Sequence, residues 1–293
     1  MSSLPEASSV LAVCAHPDDE SFGLGAALAA FAVRGTPTAV LCLTHGAASA
    51  LGTSRGDLHQ IRAAELASAA AELGVGDVEL LDYPDGALAH ESAERLSGHV
   101  QQAAARANAS LLLVFDEGGI TGHPDHQQAT RAASLFARRA RLPVLAWAVE
   151  HRVAATLNSE FGTSFIGRTA DQIDCSIEAD RRLQLSAIPC HASQAQDNPV
   201  LWRRLELQGN REVFRWLNRV GRTREAPAGA APAGTDRQIS RNRVARVGLG
   251  REPDRNRDHP GRHDRLRRQW RCGAAMRTEP DHLALGRLSR RSS

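Results

Sequence analysis

Residues 10–20 read VLAVCAHPDDE, and the junction inside this stretch, where an apolar run stops at a polar cluster, decides the fold. Val10 to Ala15 carries no charge and does not alternate, the pattern of a strand covered on both faces. Outward from it, similar runs recur at Ala39–Leu43, Val78–Leu81, Leu111–Phe115 and Val144–Val149. Ala-rich segments with helical spacing lie between them, at Phe22–Arg34, Leu58–Leu73, Ala93–Arg106 and Gln127–Arg139. Gly35, Gly74 and the Pro84-Asp85-Gly86 turn fall where those elements should stop. Strict alternation of strand and helix predicts an α/β fold, a Rossmann-like parallel sheet with helices on both faces, whose polar site residues collect at the carboxyl ends of the strands. After Glu150 the alternation weakens into a strand, a helix near Ile177–Ile188 and another near Pro199–Leu217, which read as an appended cap or wall.

Composition narrows the function classes. A chain of 293 residues, 42% apolar and 24% charged, can bury a full core. It has no run near the roughly 18 apolar residues that a membrane span needs, and its start lacks the basic-then-apolar pattern of a secretion signal. The expected address is the cytoplasm, with no membrane span. Cysteines stand at 14, 42, 175, 190 and 272, an odd number without a CxxC pair, so neither a disulfide framework nor a thiolate metal cluster is expected. Any metal must be held by His and carboxylates. The net charge of +3 hides an asymmetry: 18 of the 36 basic residues but only 8 of the 33 acidic ones follow Gly221. Every basic residue is Arg, as a GC-rich coding sequence would give. Residues 222–293 are rich in Arg, Gly, Pro and Asp with few apolar side chains, which predicts a disordered tail after a domain of residues 1–221.

Two clusters carry chemistry. His16-Pro17-Asp18-Asp19-Glu20 follows the first strand, and Gly122-His123-Pro124-Asp125-His126 follows the Leu111–Phe115 strand by a short loop and opens a helix. Neutral imidazole and carboxylate suit a borderline ion such as zinc, and three protein ligands with a water mark a catalytic site. Adjacent aspartates in an irregular turn point in different directions, so Asp18 and Asp19 can divide the work, one ligating and one facing water. A single His-Pro-Asp could be a turn with Asp as helix cap; two of them on one rim of a doubly wound sheet point to a site. His45, His59, His90, His99 and His151 stand alone and read as surface or core residues.

AHPDDE at residues 15–20, with GHPDH at 122–126, resembles the LmbE-like, or PIG-L, deacetylases. Arg62-Ala-Ala-Glu65, LGV at 73–75, DYPDG at 82–86 and HASQ at 191–194 extend the resemblance over residues 8–217. It implies an LmbE-type fold and zinc-dependent hydrolysis of an N-acyl amide on a sugar, the partner being a small-molecule amino-sugar conjugate. Position by position it implies His16, Asp19 and His126 as metal ligands and Asp18 as general base. His123 would polarise the carbonyl, as an imidazolium balancing the oxyanion, with Asp125 fixing its orientation; Arg62 and Asp85 would contact substrate hydroxyls. Zn2+ is the expected cofactor, although two histidines and an aspartate also accept iron, cobalt or manganese. Members of the mycothiol pathway tend to carry tyrosine before the GHPDH glycine, where this chain has Thr121, so that pathway is not assigned. Two other readings stand beside this one: an amidase of the same mechanism on a larger N-acyl or thiol-conjugate substrate, and an Arg-rich nucleic-acid-binding protein. The second lacks aromatic interleaving beyond Trp270, and the expected partners exclude nucleic acid. Subunit number is left open.

Overall fold

The first apolar run becomes β1 (Val10–Cys14), buried along its whole length. In the computed structural model of the protein, residues 3–49 and 57–219 are described. The elements follow in chain order as α1 (Asp19–Phe22), α2 (Gly25–Val33), β2 (Thr38–Thr44), α3 (Leu58–Leu73), β3 (Asp77–Tyr83), α4 (Ala93–Arg106) and β4 (Leu111–Phe115). A one-turn α5 (Gly119–Gly122) leads to α6 (Pro124–Ala140), β5 (Val144–Glu150), α7 (His151–Phe161), β6 (Gly167–Arg168) and β7 (Cys175–Glu178). The described part closes with α8 (Arg182–Ala187), α9 (Ala192–Ala195), α10 (Pro199–Gln208) and β8 (Arg211–Asn218).

The sheet order is β3-β2-β1-β4-β5-β8-β7, with β6 paired to the end of β5. Strands β1 to β5 are mutually parallel, as the alternation predicts. The edge differs, because β8 runs antiparallel to β5 and β7 antiparallel to β8, so the sheet is mixed. The central strands are apolar because both faces are covered. Leu11 and Val13 face a layer with Leu96, Val100, Ala132 and Ala133 of α4 and α6. Val10, Ala12 and Cys14 face the opposite layer, with Leu28, Phe31, Leu66 and Leu73 of α2 and α3. Truncating a leucine in either layer to alanine costs about 2–5 kcal/mol, the usual range for a close-packed core.

The strand expected between Glu150 and Ile177 is the short β6, and helix α7, whose Val153, Ala154 and Leu157 are buried at helical spacing, precedes it. Two further expectations are corrected. The helix expected over Ile177–Ile188 begins as strand β7 and turns helical only at Arg182. The helix expected over Pro199–Leu217 stops at Gln208, because Gly209 takes φ 55° and ψ −131°, and the rest is β8. Residues 211–218, REVFRWLN, serve as a strand because β5 offers an unpaired edge; the cap is therefore part of the sheet. The tail, 222–293, lies outside the described residues. Among those described, no helix is long and apolar enough to cross a membrane.

The order positions the site. β1 and β4 are neighbours, but the chain leaves β1 towards β2 on one side and β4 towards β5 on the other. Their carboxyl-end loops diverge and leave a crevice at this switch point, and both histidine clusters stand on it.

Candidate active site

The loop after β1 is held by its own aspartate. Asp19 Oδ2 accepts from the amides of Ala15 (2.9 Å) and His16 (3.0 Å), which folds the turn back on the strand and sends Oδ1 towards His126. Asp18, just before α1, has φ 116° and ψ −27°, a left-handed conformation that non-glycine residues seldom adopt. The loop after β4 is also irregular, with Gly119, Ile120 and Gly122 all at positive φ. It delivers His123 to the N-cap of α6, where Nδ1 accepts from the Asp125 amide (3.2 Å), and Pro124 sets the first turn. Asp125 and His126 lie in that turn.

Three donors converge between the loops. His16 Nδ1 is 3.2 Å from His126 Nε2, and His126 Nε2 is 3.1 Å from Asp19 Oδ1. The outer nitrogens fix the tautomers. His126 Nδ1 lies 3.1 Å from the Gly119 carbonyl and His16 Nε2 lies 3.0 Å from Asp85 Oδ1 and 3.3 Å from Asp125 Oδ2; each outer nitrogen donates there. In the neutral rings both inner nitrogens are then lone pairs facing each other and a carboxylate, an arrangement that repels itself unless a metal ion or an added proton stands between them. Two nitrogens on a tetrahedral zinc ion at about 2.0–2.1 Å would be about 3.3 Å apart. His16, Asp19 and His126 therefore fit a divalent cation, with outer carboxylates and a carbonyl on the ligand histidines as metal sites require. A second grouping of His16, His123 and Asp125 is less apt, because Asp125 already accepts from the amides of Gly86 (2.8 Å) and Leu88 (3.0 Å).

Electrostatics agree with this division. Burial opposes charge on His16, yet Asp125, Asp85 and Asp19 push its pKa up to about 10, a surplus of negative charge that a cation would balance. Burial would raise the Asp19 carboxyl, but His126 and His16 hold it well below the usual range, so it stays a carboxylate. Asp18 goes the other way, pushed up to about 6 by burial and by Asp19 against the pull of Arg62. Burial, with His126 and His16 beside it, lowers His123, which works against the expected imidazolium. With Nδ1 accepting from a backbone amide, its proton is on Nε2.

Two expected roles change with the geometry. Asp125 gives its carboxylate to His16 and to the Pro84-Asp85-Gly86 turn, while its backbone amide, not its side chain, holds His123. Arg62 is not a surface residue: it is 2% exposed, bonded to the carbonyls of Gly46 and Pro17, and its Nη2 donates to Asp18 Oδ2 (2.8 Å). A Cβ on Gly46, which has φ 63°, would overlap that guanidinium and displace it, so glycine suits the position. Asp85 accepts from the Ala48 amide (2.8 Å) as well as bonding His16. Both side chains still line a cavity of about 430 Å³ that opens beside the three donors. Its lining includes the apolar side chains of Phe22, Phe115, Trp147, Phe165 and Leu201, with the buried Arg204 over the Trp147 ring. Sequence reasoning gave no role to Glu20 or His191, which are fully buried and bonded to each other. HPDDE and HASQ are separate motifs, and no spacing along the chain links them.

Residues 11–137 match the PIG-L family, described as GlcNAc-PI de-N-acetylase. A probable N-acetyl-alpha-D-glucosaminyl L-malate deacetylase 2 of Bacillus anthracis is 30% identical over 215 residues, covering 72% of this chain and 92% of that protein. A 1D-myo-inositol 2-acetamido-2-deoxy-alpha-D-glucopyranoside deacetylase 1 of Catenulispora acidiphila is 33% identical, but over 48% of this chain and about half (51%) of that longer protein. Among solved structures, the A40926 pseudoaglycone deacetylase Dbv21 shares the fold, with a TM-score of 0.56 at 20% identity over 72% of this chain and 97% of that one. Near-full coverage of the Bacillus protein, with both histidine clusters on one crevice of the shared fold, makes this chain a member of the PIG-L (LmbE-like) deacetylase family, hydrolases of amide bonds.

Proposed function

We propose that this protein removes the acetyl group from an N-acetylglucosamine-type amino-sugar conjugate, using zinc held by His16, Asp19 and His126 and Asp18 as general base. The observation that carries the reading is the convergence of one ring nitrogen each from His16 and His126 with an oxygen of Asp19, beside the carboxyl of Asp18, all on one cavity. Zinc bound there would polarise the amide carbonyl and make water more acidic. The chain's own residues do the rest. Asp18 Oδ2 is occupied by Arg62, which leaves Oδ1 to take the proton of the attacking water. His123 Nε2–H meets the carbonyl oxygen as negative charge develops, a contribution worth about 3 kcal/mol when such a donor is removed. The proton on Asp18 then returns to the departing amine, so water and amide become acetate and amino sugar. Arg62 and Asp85 line the wall where sugar hydroxyls would lie, Arg62 mainly as the partner of Asp18. The apolar part of the lining also favours a second reading with the same mechanism, an amidase on a larger N-acyl or thiol-conjugate substrate.

The test is metal analysis followed by an amine-release screen over N-acetylglucosamine conjugates, with longer N-acyl analogues as the competing arm. Asp18→Asn should keep zinc and lower turnover by roughly two to four powers of ten, whereas Asp19→Asn should loosen the metal. Loss of zinc from Asp18→Asn with retention in Asp19→Asn would exchange the two roles. Full hydrolysis by both variants would remove the catalytic reading of the cluster.

A further inference from the structure

We propose that Glu20 and His191 are positioning residues for Asp18, the buried half of a clamp that holds the general base in its left-handed conformation. The proposal rests on the reading of Asp18 given above. Glu20 has no exposed surface and its two oxygens divide their work. Oε2 accepts from the Asp18 amide at 2.9 Å. Oε1 meets Ser21 Oγ at 2.8 Å and His191 Nε2 at 2.6 Å. His191 is also fully buried, its ring edge-on to Phe22 with centroids 5.8 Å apart, and its Nδ1 has no partner. A stranded N–H there would cost more than a stranded lone pair, so the proton is on Nε2 and His191 donates to Glu20.

The clamp has something to hold. A non-glycine residue in the left-handed region is strained and persists only where its surroundings impose it. At Asp18 that conformation turns the side chain into the cavity while its neighbour Asp19 turns towards His126. Two supports meet on the one residue: Glu20 on its amide, backed by His191, and Arg62 on its carboxylate. The supports are themselves joined, since Ser193 bonds through its amide (2.8 Å) and hydroxyl (2.7 Å) to Glu65 on α3, the helix that carries Arg62. The last acid of HPDDE, the Arg and Glu of the 62–65 motif and the His and Ser of HASQ thus supply neighbouring polar pairs behind the base, with Glu20, Arg62, His191 and Ser193 buried and Glu65 partly buried.

The experiment uses the full-length chain and the variants Glu20→Gln, His191→Leu and His191→Gln, each made alone and with Asp18→Asn. Glutamine at 191 can donate from nearly the same point as imidazole Nε2; leucine cannot. Acetate release is followed with N-acetylglucosaminyl L-malate, N-acetylglucosaminyl inositol and methyl N-acetylglucosaminide, alongside zinc content. His191→Leu and Glu20→Gln should keep zinc and KM and lose about ten- to a hundredfold in kcat, and His191→Gln should recover most of it. With Asp18→Asn already present, the same changes should cost less than about threefold, because residues acting through one group are not additive. In the zinc-free protein, hydrogen exchange at the Asp18 amide should speed up in His191→Leu and not in His191→Gln. Full additivity with Asp18→Asn, or unchanged exchange, overturns the positioning role while the deacetylase reading stands. No hydrolysis of any of the three substrates by the unmutated chain overturns that reading and this proposal with it.

Discussion

Asp125 has no exposed surface and spends its acceptor capacity inside the protein, on two loop amides and on His16 Nε2. It therefore couples the Gly86 turn to His16, the proposed metal ligand, and its charge favours the tautomer that leaves Nδ1 of a neutral His16 ring without a proton. Asparagine keeps the shape but presents an amide donor to one of those donors. Asp125→Asn should weaken zinc binding by about 10–100-fold and cost about 1–3 kcal/mol for the mismatched hydrogen bond, read by chelator competition and thermal melting. Unaltered affinity would show that His16 does not depend on this buttress. The identity of the ligand candidates was legible in the sequence, since His-Pro-Asp recurs at two strand ends. The second use of Asp125 was not, because the two residues it joins, His16 and Gly86, meet only when β1 and β3 enter the same sheet.

At the scale of elements, a polar cluster ties the end of β4 to β6 and to β8, the latter read as helix from the sequence. Asp116, buried at 2% exposure, accepts from Arg168 on β6, from Arg215 Nη1 on β8 at 2.8 Å and from the Gly118 amide at 3.0 Å. Burial would raise its carboxyl, but Arg168, the amide and Arg215 outweigh it and hold the pKa below the usual range. A carboxyl depressed in the folded state stabilises the fold above its unfolded value of about 3.9, and that stabilisation is lost as pH falls through the folded value. Asp116→Asn should thus cost about 1–3 kcal/mol at pH 7, and the gap from the unmutated protein should close below about pH 4. A gap independent of pH, measured by denaturant unfolding at several pH values, would mean that shape and not charge is what Asp116 supplies. β1, β2, β4 and β5 announced themselves because strands covered on both faces are nearly unbroken apolar runs. β7 and β8 did not, since REVFRWLN mixes charged and apolar residues and follows a helix closely enough to be read as its continuation.

For the whole molecule, β8 ends at Asn218, so a chain stopped after Gly221 keeps every described element. The composition argument for residues 222–293 then predicts that truncation leaves turnover and melting temperature nearly unchanged, within about 2 °C; a large fall in either would show that the tail contributes to the folded domain. By itself the sequence determined the doubly wound core, the strand ends that carry polar residues and the histidines and aspartates that meet there, because those follow from local patterns of apolar run, turn residue and motif. The tertiary structure alone decided the mixed edge of the sheet, the tautomers of His16 and His126, the burial of Arg62 against Asp18 and the pairing of Glu20 with His191. Each of these depends on groups far apart in the chain, 171 residues in the last case. A buried polar atom takes the partner that packing brings within reach, and no local pattern encodes which one that will be.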